Sequence, residues 1–565
     1  MPTEITKTYS GAEVVAKALK DQGVDVVFGI VGIPVVEVAE AIISEGIKFI
    51  GFRNEQSLSY AAGAYGFLSG RPGVCLVVSG PGVVHALAGL VNAQANCWPL
   101  LLIGGSSDTY QQGMGAFQEL DQITLCKPYS KISTRPSSIS QIPNVIDKAI
   151  KTSIYGRPGP VYIDLPANFI QGSITYESMN LPGRATDSPK SLADPRCVEE
   201  AVRLLLSAKK PLIIIGKGAA YSCAEKEINE LIKKTRIPFL PTPMGKGVVS
   251  DSHPLCVSAA RSKAIANADV IILLGARLNW ILHFGAPPKF SKDVKFIQVD
   301  ILPEEHNNNR CIHVALLGHL PLVVSQLLSC LPSSFNHPST SDYIQSLRQK
   351  IDENVASTNE KFKDDTIPMS YHRAFWEIKK RLPQKDIVFV SEGANTMDIA
   401  RSIFDVHEPR CRLDAGTLAT MGVGLGFAIA AKVYYPSKRV VAIVGDSAFG
   451  FSAMEIETAV RAHLPMIIII INNNGIYHGL DIESYNATSL NALPSTALLP
   501  DVRYDLIADA TGGKGYFVRT PQELDDAMEE ALKDNEKVTV INVMIQPGGR
   551  KKLEFAWMET TKPKL

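Results

Sequence analysis

The chain has 565 residues, of which 45% are hydrophobic, and 57 Lys and Arg residues balance 57 Asp and Glu residues to a formal net charge of +0. This neutral balance gives no indication of a nucleic-acid partner or a membrane surface, and no apolar run approaches the roughly 20 residues of a membrane-spanning helix. Nine cysteines without C-x-x-C spacing argue against disulfides and zinc, and favour a reducing compartment.

The first domain is predicted over residues 1–180, from strands that alternate with helical patterns. Glu55 follows an apolar strand and opens a helix of small residues, and the next apolar strand, Val74 to Ser79, ends at Gly80. A Pro-, Ser- and Asp-rich stretch from Leu181 to Pro195 then predicts a linker. A glutamate after a strand is ordinarily a solvated surface residue, so only a wider pattern gives Glu55 a role.

The second domain is predicted over residues 196–332, before another polar linker. It contains three apolar strands that each close on a turn: Pro211 to Lys217, Asp269 to Gly275 and Val294 to Asp300. A charged residue stands at or just past the end of each strand, where open α/β sheets bind nucleotides. These residues are Lys217, Arg277 and Asp300. A single charge of this kind is more often simply solvated, so the three are informative as a set.

The third domain is predicted over residues 366–548, and two of its apolar strands end in polar turns. They are Arg439 to Val444, which delivers Asp446, and Met466 to Ile471, which delivers Asn473 and Gly475. Open sheets of parallel strands bind their ligands beside the carboxyl ends of the strands. One carboxylate, one amide oxygen and one backbone carbonyl form a sparse shell for Mg²⁺ or Ca²⁺, which leaves positions for diphosphate oxygens and water.

All three units alternate strands and helices. We therefore expect an α/β protein with three doubly wound domains whose sheets are mainly parallel. Residues 549–565 remain as a C-terminal tail with aromatic side chains, which we expect to carry a targeting signal.

Two constellations stand out along the chain. They are Gly445-Asp446-Ser447, followed after 24 residues by Asn472-Asn473-Asn474-Gly475, and Glu55 with the strand that ends in Gly80-Pro81-Gly82. Together they resemble the thiamine-diphosphate enzymes of the acetohydroxyacid synthase and oxalyl-CoA decarboxylase group, over essentially Val24 to Ile545. The resemblance implies a pyrimidine-binding first domain, a central nucleotide-binding, Rossmann-like domain and a diphosphate-binding third domain. It also implies thiamine diphosphate and Mg²⁺ as cofactors, and active sites between the subunits of a homodimer or homotetramer.

The resemblance assigns roles to individual residues. Glu55 matches the activating glutamate, whose carboxyl bonds the cofactor's aminopyrimidine and drives it to the imino form; burial with few charged neighbours raises the pKa of such a carboxyl. Asp446, Asn473 and the Gly475 carbonyl match the metal ligands, and Met421 the bulky residue that wedges the cofactor into its bent form. The implied cofactor-binding residues are Glu55, Gly80, Asn395, Thr396, Gly416, Met421, Gly445, Asp446, Ser447, Asn473, Gly475 and Ile476.

The charges of the central domain resemble the acyl-CoA-handling branch of this group, in which the domain holds the ADP part of CoA or free ADP. Lys217 and Arg277 would then face phosphates and Asp300 the ribose hydroxyls, with Arg157 as a further candidate. Acetohydroxyacid synthases hold FAD at the same place instead.

Two kinds of enzyme within that branch remain open, 2-hydroxyacyl-CoA lyase and oxalyl-CoA decarboxylase. Both release formyl-CoA, but the lyase expels an aldehyde and the decarboxylase expels CO₂. Met114 to Glu119 and the tail with Phe555 and Trp557 resemble the lyases, whereas Leu120-Asp121-Gln122 resembles the decarboxylases. The resemblance implies that the tail, residues 549–565, acts as a lid over the substrate. The resemblance favours the lyase.

The candidate catalytic residues are Glu55, Gln118, Tyr477 and His478, the last three because they could meet the reacting oxygen or carry a proton. We therefore predict a lyase that converts 2-hydroxyacyl-CoA to formyl-CoA and a fatty aldehyde one carbon shorter, in fatty-acid α-oxidation, with oxalyl-CoA decarboxylase as the alternative. An alternative hypothesis, in which the protein is not an enzyme, is a catalytically silent scaffold or nucleotide sensor. The joint presence of Glu55, Asp446 and Asn473 argues against it.

The last residues, Lys562-Pro563-Lys564-Leu565, are similar to the Ser-Lys-Leu peroxisomal address, although Pro563 replaces a small residue. The implied substrates belong to that compartment in related enzymes. We therefore expect a peroxisomal enzyme that an import receptor recognises, with the cytoplasm as the alternative.

Overall fold

The computed structural model describes residues 8–548, and its first unit is a parallel sheet covered by helices. Strands β1 to β8 are Thr8–Ser10, Val26–Gly29, Lys48–Gly51, Gly73–Val77, Leu100–Ser106, Ser133–Thr134, Pro160–Pro166 and Ser173–Thr175. Helices α1 to α7 are Gly11–Asp21, Val36–Ser44, Glu55–Ser69, Pro81–Asn96, Gln122–Cys126, Ile142–Ile154 and Ala167–Gln171. The six-stranded sheet has the order β3-β2-β4-β5-β7-β6, and β1 pairs with β8 in a separate antiparallel ribbon.

The second unit is a five-stranded parallel sheet with the order β10-β9-β11-β12-β13. Strands β9 to β13 are Pro211–Ile215, Phe239–Pro241, Val270–Leu274, Lys295–Asp300 and Val314–Leu317. Helices α8 to α13 are Pro195–Ser207, Lys217–Tyr221, Glu225–Thr235, Arg261–Asn267, Leu320–Cys330 and Asp342–Phe362. The charged residues predicted at the strand ends therefore lie along one edge of this sheet.

The third unit is a six-stranded parallel sheet with the order β15-β14-β16-β17-β19-β18. Strands β14 to β19 are Ile387–Ser391, Arg412–Asp414, Arg439–Gly445, Ile467–Asn472, Lys514–Val518 and Thr539–Met544. Helices α14 to α21 are Tyr371–Arg381, Ala394–Ile403, Gly424–Tyr434, Asp446–Phe449, Glu455–Arg461, Ile482–Ala487, Leu506–Thr511 and Pro521–Lys533.

The prediction of three doubly wound α/β units with mainly parallel sheets is confirmed. Strand β17 shows why a continuous apolar run predicted a buried parallel strand. Its five consecutive isoleucines, 467–471, are all buried between helix layers on both faces of the sheet. The predicted strands differ from the observed ones by one or two residues at their ends. Across residues 8–548, no helix combines the length and hydropathy needed to cross a bilayer.

Helix α3 of the first unit packs directly on helix α16 of the third. Gly426 permits this approach, because a Cβ at that position would lie 2.5 Å from the carbonyl oxygen of Ser57. Phe427 lies beside Trp98, with their ring centroids 5.5 Å apart, and both side chains are buried. The shared core fixes the helix that begins with Glu55 against the sheet that carries Asp446.

Candidate active site

Asp446 lies at the carboxyl end of β16, beside the end of β17. Its side chain is 3% exposed; Oδ1 accepts a hydrogen bond from the Ser447 N–H at 2.8 Å, and Oδ2 accepts one from the Gly475 N–H at 3.0 Å. Burial raises the pKa of Asp446 to about 6, while these backbone donors act in the opposite direction. No described cation pairs with this carboxylate. A buried carboxyl with backbone donors alone fits the ligand of a bound divalent cation.

The turn after β17 supplies the other two predicted metal ligands. The Asn473 side-chain nitrogen donates to the Tyr477 carbonyl oxygen at 3.1 Å, which leaves the amide oxygen for a cation. Gly475 is required by the tight turn, since a Cβ there would lie 2.4 Å from the His478 carbonyl oxygen. Residues 8–548 hold no group of three or more His, Cys, Asp or Glu side chains with metal-binding geometry. Any Mg²⁺ at Asp446 therefore relies on amide, carbonyl and ligand oxygens.

The remaining predicted cofactor residues of the third unit lie on the same edge of its sheet, because the strands they follow are parallel. Asn395 and Thr396 begin α15 after β14, and Asn395 donates to the Tyr477 carbonyl oxygen at 3.1 Å. Gly416 follows β15 with a φ of 62°, and Met421 is half-buried on the loop toward α16. Gly445, Ser447 and Ile476 flank the predicted metal ligands. The structure thus brings together side chains that are up to 81 positions apart, from Asn395 to Ile476.

His478 and Tyr477 lie on the turn after Gly475. His478 has a buried Nδ1 without a hydrogen-bond partner among residues 8–548, and its Nε2 lies 3.5 Å from the Thr496 hydroxyl. The backbone of Tyr477 has a φ of 73°, in the left-handed region that L-residues rarely adopt. Residues held in such conformations often belong to functional sites.

Glu55 begins α3 in the first unit, where Asn54 caps the helix. Its side chain is 16% exposed, and Oε2 lies 3.3 Å from Nδ1 of His85, whose side chain is 60% exposed. His85 was not predicted to belong to the site. The sequence holds no signal for this contact, since 30 residues separate the two and only the packing of α3 on α4 brings them together.

Gly80 and Gln118 meet beside this helix. A Cβ on Gly80 would lie 2.6 Å from the Gln118 carbonyl oxygen, and the Ser79 hydroxyl donates to Gln118 Oε1 at 3.0 Å. Gln118 itself has a φ of 54°. Glu119 closes the loop, because its carboxylate accepts the N–H groups of Gly113, Gly115 and Ala116. These bonds fix the loop that presents Gln118.

A cavity of about 480 Å³ contains all four predicted nucleotide-binding residues, Arg157, Lys217, Arg277 and Asp300. Arg157 pairs with Asp300 at 2.8 Å and with Glu305 at 2.9 Å, so its charge is already balanced. Lys217 and Arg277 have no carboxylate partner among the described residues. Lys217 donates to Asn96 Oδ1 at 2.6 Å, and desolvation together with the nearby Arg277 lowers its pKa to about 7. Two cations with only neutral partners make this cavity suited to an anion.

Thr417 joins all three units at one point. Its N–H donates to Asn96 Oδ1 of the first unit at 2.9 Å. Its hydroxyl accepts from Lys217 at 3.3 Å and from Arg277 at 3.1 Å, and its carbonyl oxygen accepts from Trp280 Nε1 at 2.8 Å. Thr417 follows Gly416, so the loop with the predicted cofactor residues is bonded to two residues, Lys217 and Arg277, that line the 480 Å³ cavity.

Three family profiles of thiamine pyrophosphate enzymes match the chain: the N-terminal TPP binding domain over residues 9–125, the central domain over 198–327 and the C-terminal TPP binding domain over 392–543. The chain belongs to the thiamine pyrophosphate enzymes, in which the N-terminal and C-terminal domains are the ones that bind thiamine diphosphate.

Comparison with curated relatives narrows the family further. The chain is 51% identical to 2-hydroxyacyl-CoA lyase 1 of Homo sapiens, with 97% of each chain covered, and 44% identical to 2-hydroxyacyl-CoA lyase of Saccharomyces cerevisiae, with 99% of this chain and 100% of the yeast chain covered. It is 43% identical to oxalyl-CoA decarboxylase of Escherichia coli, with 95% of each covered. Within the thiamine pyrophosphate enzymes, the chain is a member of the 2-hydroxyacyl-CoA lyase family.

Proposed function

We propose that the protein cleaves 2-hydroxyacyl-CoA into formyl-CoA and an aldehyde one carbon shorter. The observation that carries this proposal is a buried Asp446 beside the Asn473–Gly475 turn, with no cationic side chain of residues 8–548 paired to it, in a chain that is more similar to named lyases than to the decarboxylase over its length. Asp446, Asn473 and the Gly475 carbonyl would hold Mg²⁺, and Mg²⁺ would hold the diphosphate.

The reaction breaks the C1–C2 bond of the acyl group. The 2-hydroxyl loses its proton as C2 becomes the aldehyde carbon, and C1 receives a proton in formyl-CoA. When bound, thiamine diphosphate supplies a nucleophilic carbon and an electron sink for this cleavage. Gln118, Tyr477 and His478 are the side chains that we assign to orienting the reacting oxygen and moving its proton. Nδ1 of His478 has no hydrogen-bond partner among residues 8–548, so we assign the transfer to this nitrogen.

The loop around Gln118 favours an alkyl leaving fragment over CO₂. Met114 and Phe117, which precede Gln118 on this loop, are 74% and 68% exposed. Apolar side chains at this position suit the hydrocarbon of an aldehyde. Asp121, which resembled the decarboxylases, caps helix α5 by accepting the Thr124 N–H at 3.2 Å. Its presence therefore has a local structural reason and does not favour decarboxylation.

The test is a product assay on protein reconstituted with thiamine diphosphate and Mg²⁺, with 2-hydroxyacyl-CoA and oxalyl-CoA supplied in parallel. Aldehyde together with formyl-CoA from the hydroxyacyl substrate supports the lyase. CO₂ with formyl-CoA from oxalyl-CoA alone would assign the decarboxylase instead, and absence of turnover on both would remove the proposal.

We further propose that the 480 Å³ cavity binds the ADP part of the acyl-CoA or free ADP. Lys217 and Arg277 support this assignment, because both line the cavity with neutral partners only and would pair with phosphate oxygens. The Arg157–Asp300 pair would present a carboxylate to the ribose hydroxyls, as expected from the sequence.

Lys217→Met is expected to weaken ADP binding at least about 10-fold, because a charge-assisted bond of about 1.5–3 kcal/mol is lost and the substituted side chain keeps the volume. Isothermal titration of ADP into the wild-type and variant proteins measures the change. Lys210→Met, an exposed lysine just before β9, is the matched control and is expected to bind ADP normally. Equal affinity in all three proteins would place the nucleotide elsewhere.

Two further proposals, on the oligomeric state of the protein and on its cellular compartment, rest on the resemblance to the same family of enzymes. We propose at least a homodimer, in which the pyrimidine end of the cofactor meets Glu55 of one subunit and the diphosphate end meets Asp446 of another. We also propose peroxisomal import through the Pro563-Lys564-Leu565 ending. That ending, and the proposed lid with Phe555 and Trp557, lie outside the described residues.

A further inference from the structure

Glu392 is a buried carboxyl group at the edge of the third sheet that binds the cofactor, and it was not predicted from the sequence. It follows β14 directly, as Asp446 follows the last residue of β16. Its side chain has an exposed fraction of 0%. The pattern of an acid before a glycine at a strand end, in Ser391-Glu392-Gly393, is the signal that could have identified it.

The Glu392 carboxylate binds the start of helix α16. Oε1 accepts the N–H of Gly422 and, at 3.0 Å, that of Val423, and Oε2 accepts the N–H of Gly424 at 2.7 Å. These donors follow Met421 directly, so the carboxylate fixes the loop that carries the predicted wedge of the cofactor. An anion is favoured there because the first N–H groups of a helix lack partners and the helix dipole is positive at that end.

The backbone of Glu392 reaches a second segment of the site. Its carbonyl oxygen accepts the Gly445 N–H at 3.3 Å, and its N–H donates to the Ile443 carbonyl oxygen at 3.1 Å. Gly393, the next residue, has a φ of 86° and leads into α15 with Asn395 and Thr396. One residue therefore connects three segments that we assign to cofactor binding.

The packing around Glu392 leaves little freedom. A Cβ on Gly424 would lie 2.4 Å from Glu392 Oε2, so helix α16 approaches the carboxylate as closely as a glycine allows. Burial raises the pKa of Glu392 to about 7, and the three N–H donors counteract that rise. The carboxylate has enough lone pairs for all three donors, whereas an amide would turn an NH₂ group toward one of them.

We propose that Glu392 is a positioning residue of the cofactor site, whose carboxylate holds the Met421 loop in register with the strand that presents Asp446. The inference rests on the proposed function, since it concerns how the cofactor is held. Glu392 acts through Met421 and through the backbone of 422–424. Small displacements of a positioned group can lower turnover about 100-fold, which makes such an anchor consequential.

The experiment compares wild type, Glu392→Gln, Met421→Ala and the double variant. It measures the dissociation constant of thiamine diphosphate with Mg²⁺, the near-ultraviolet circular dichroism of the bound cofactor, and kcat. Each single variant is expected to lose about 10–100-fold in cofactor affinity or kcat. The double variant is expected to be no worse than the more severe single variant, because both changes disturb the same loop.

Glu377→Gln is the matched control, since Glu377 is also buried but pairs with Arg373 and Lys380 on α14, and no contact joins it to the described cofactor segments. It is expected to lower the melting temperature without changing cofactor affinity. If Glu392→Gln yields no folded protein, Glu392→Asp provides the same comparison with the charge kept and the side chain shortened.

Wild-type cofactor affinity, dichroism and kcat in Glu392→Gln would overturn the inference. A double variant whose loss equals the product of the two single-variant losses would overturn it as well. Failure of the wild-type protein itself to bind thiamine diphosphate or to turn over would instead overturn the proposed function. The two failures are therefore distinguishable.

Discussion

Glu55→Gln will bind thiamine diphosphate with nearly wild-type affinity and lose turnover by at least about 100-fold, the lower end of what a positioned proton-transfer group contributes. The amide keeps the shape and the start of helix α3, but it cannot give or take the proton that the aminopyrimidine needs. Its oxygen can still meet His85, 3.3 Å from Oε2 in the native side chain. The expected result is thus a loss in kcat without a loss in cofactor binding.

The measurement is kcat for aldehyde release at saturating cofactor, together with the cofactor's dissociation constant. Glu40→Gln, an exposed glutamate on helix α2 of the same unit, is the matched control and should behave as wild type. A turnover near the wild-type value in Glu55→Gln would exclude Glu55 from the mechanism.

Asp446→Ala is expected to abolish Mg²⁺-dependent binding of thiamine diphosphate. Asp446 is the only carboxylate in the proposed set of metal ligands, and the other two are a neutral amide and a backbone carbonyl. Without the charge of Asp446, the site loses the electrostatic attraction that offsets the free-energy cost of dehydrating Mg²⁺. The cofactor's diphosphate then has no cation to bridge it to the protein.

The effect is measured by two titrations of thiamine diphosphate into the protein, one with Mg²⁺ present and one with a chelator in its place. Asp526→Ala, on the exposed face of α21, is the control variant. The fold itself should survive, because the loss of the hydrogen bonds from the Ser447 and Gly475 N–H groups is offset by the removal of a buried carboxylate without a cationic partner among residues 8–548. An unchanged melting temperature of the cofactor-free protein, with cofactor binding lost, is the expected combination. Unchanged affinity would mean that the metal binds elsewhere.

The sheets could be predicted from the sequence because each buried parallel strand is a short apolar run that ends in a turn. The strand predicted from Arg439 to Val444 is observed as Arg439–Gly445, and the strand predicted from Met466 to Ile471 is observed as Ile467–Asn472. Asp446, Asn473 and Gly475 were predicted together because two adjacent parallel strands end beside each other. The local pattern and the rule that parallel strands share an edge placed these residues together, and the resemblance to thiamine-diphosphate enzymes gave them the role of metal ligands.

Contacts between distant segments could not be predicted in this way. The pairing of Arg157 with Asp300 joins residues 143 positions apart, so the further candidate for nucleotide binding, Arg157, already has a carboxylate partner. His85 meets Glu55 only because α3 and α4 pack side by side. Such pairs depend on the angles between helices and between units. A single sequence, taken without an alignment, does not predict these angles.

The bonds that converge on Thr417 have a consequence for modular engineering. Thiamine enzymes with three similar domains invite recombination, in which a central domain from one enzyme replaces that of another. Here such an exchange would leave the half-buried Thr417 hydroxyl and carbonyl without their bonds from Lys217, Arg277 and Trp280. Each lost hydrogen bond costs about 0.5–1.5 kcal/mol, or about 1.5–3 kcal/mol where the donor is charged. A usable recombination boundary must therefore carry residues 416–417 along with the central domain's cations, although they are far apart in sequence.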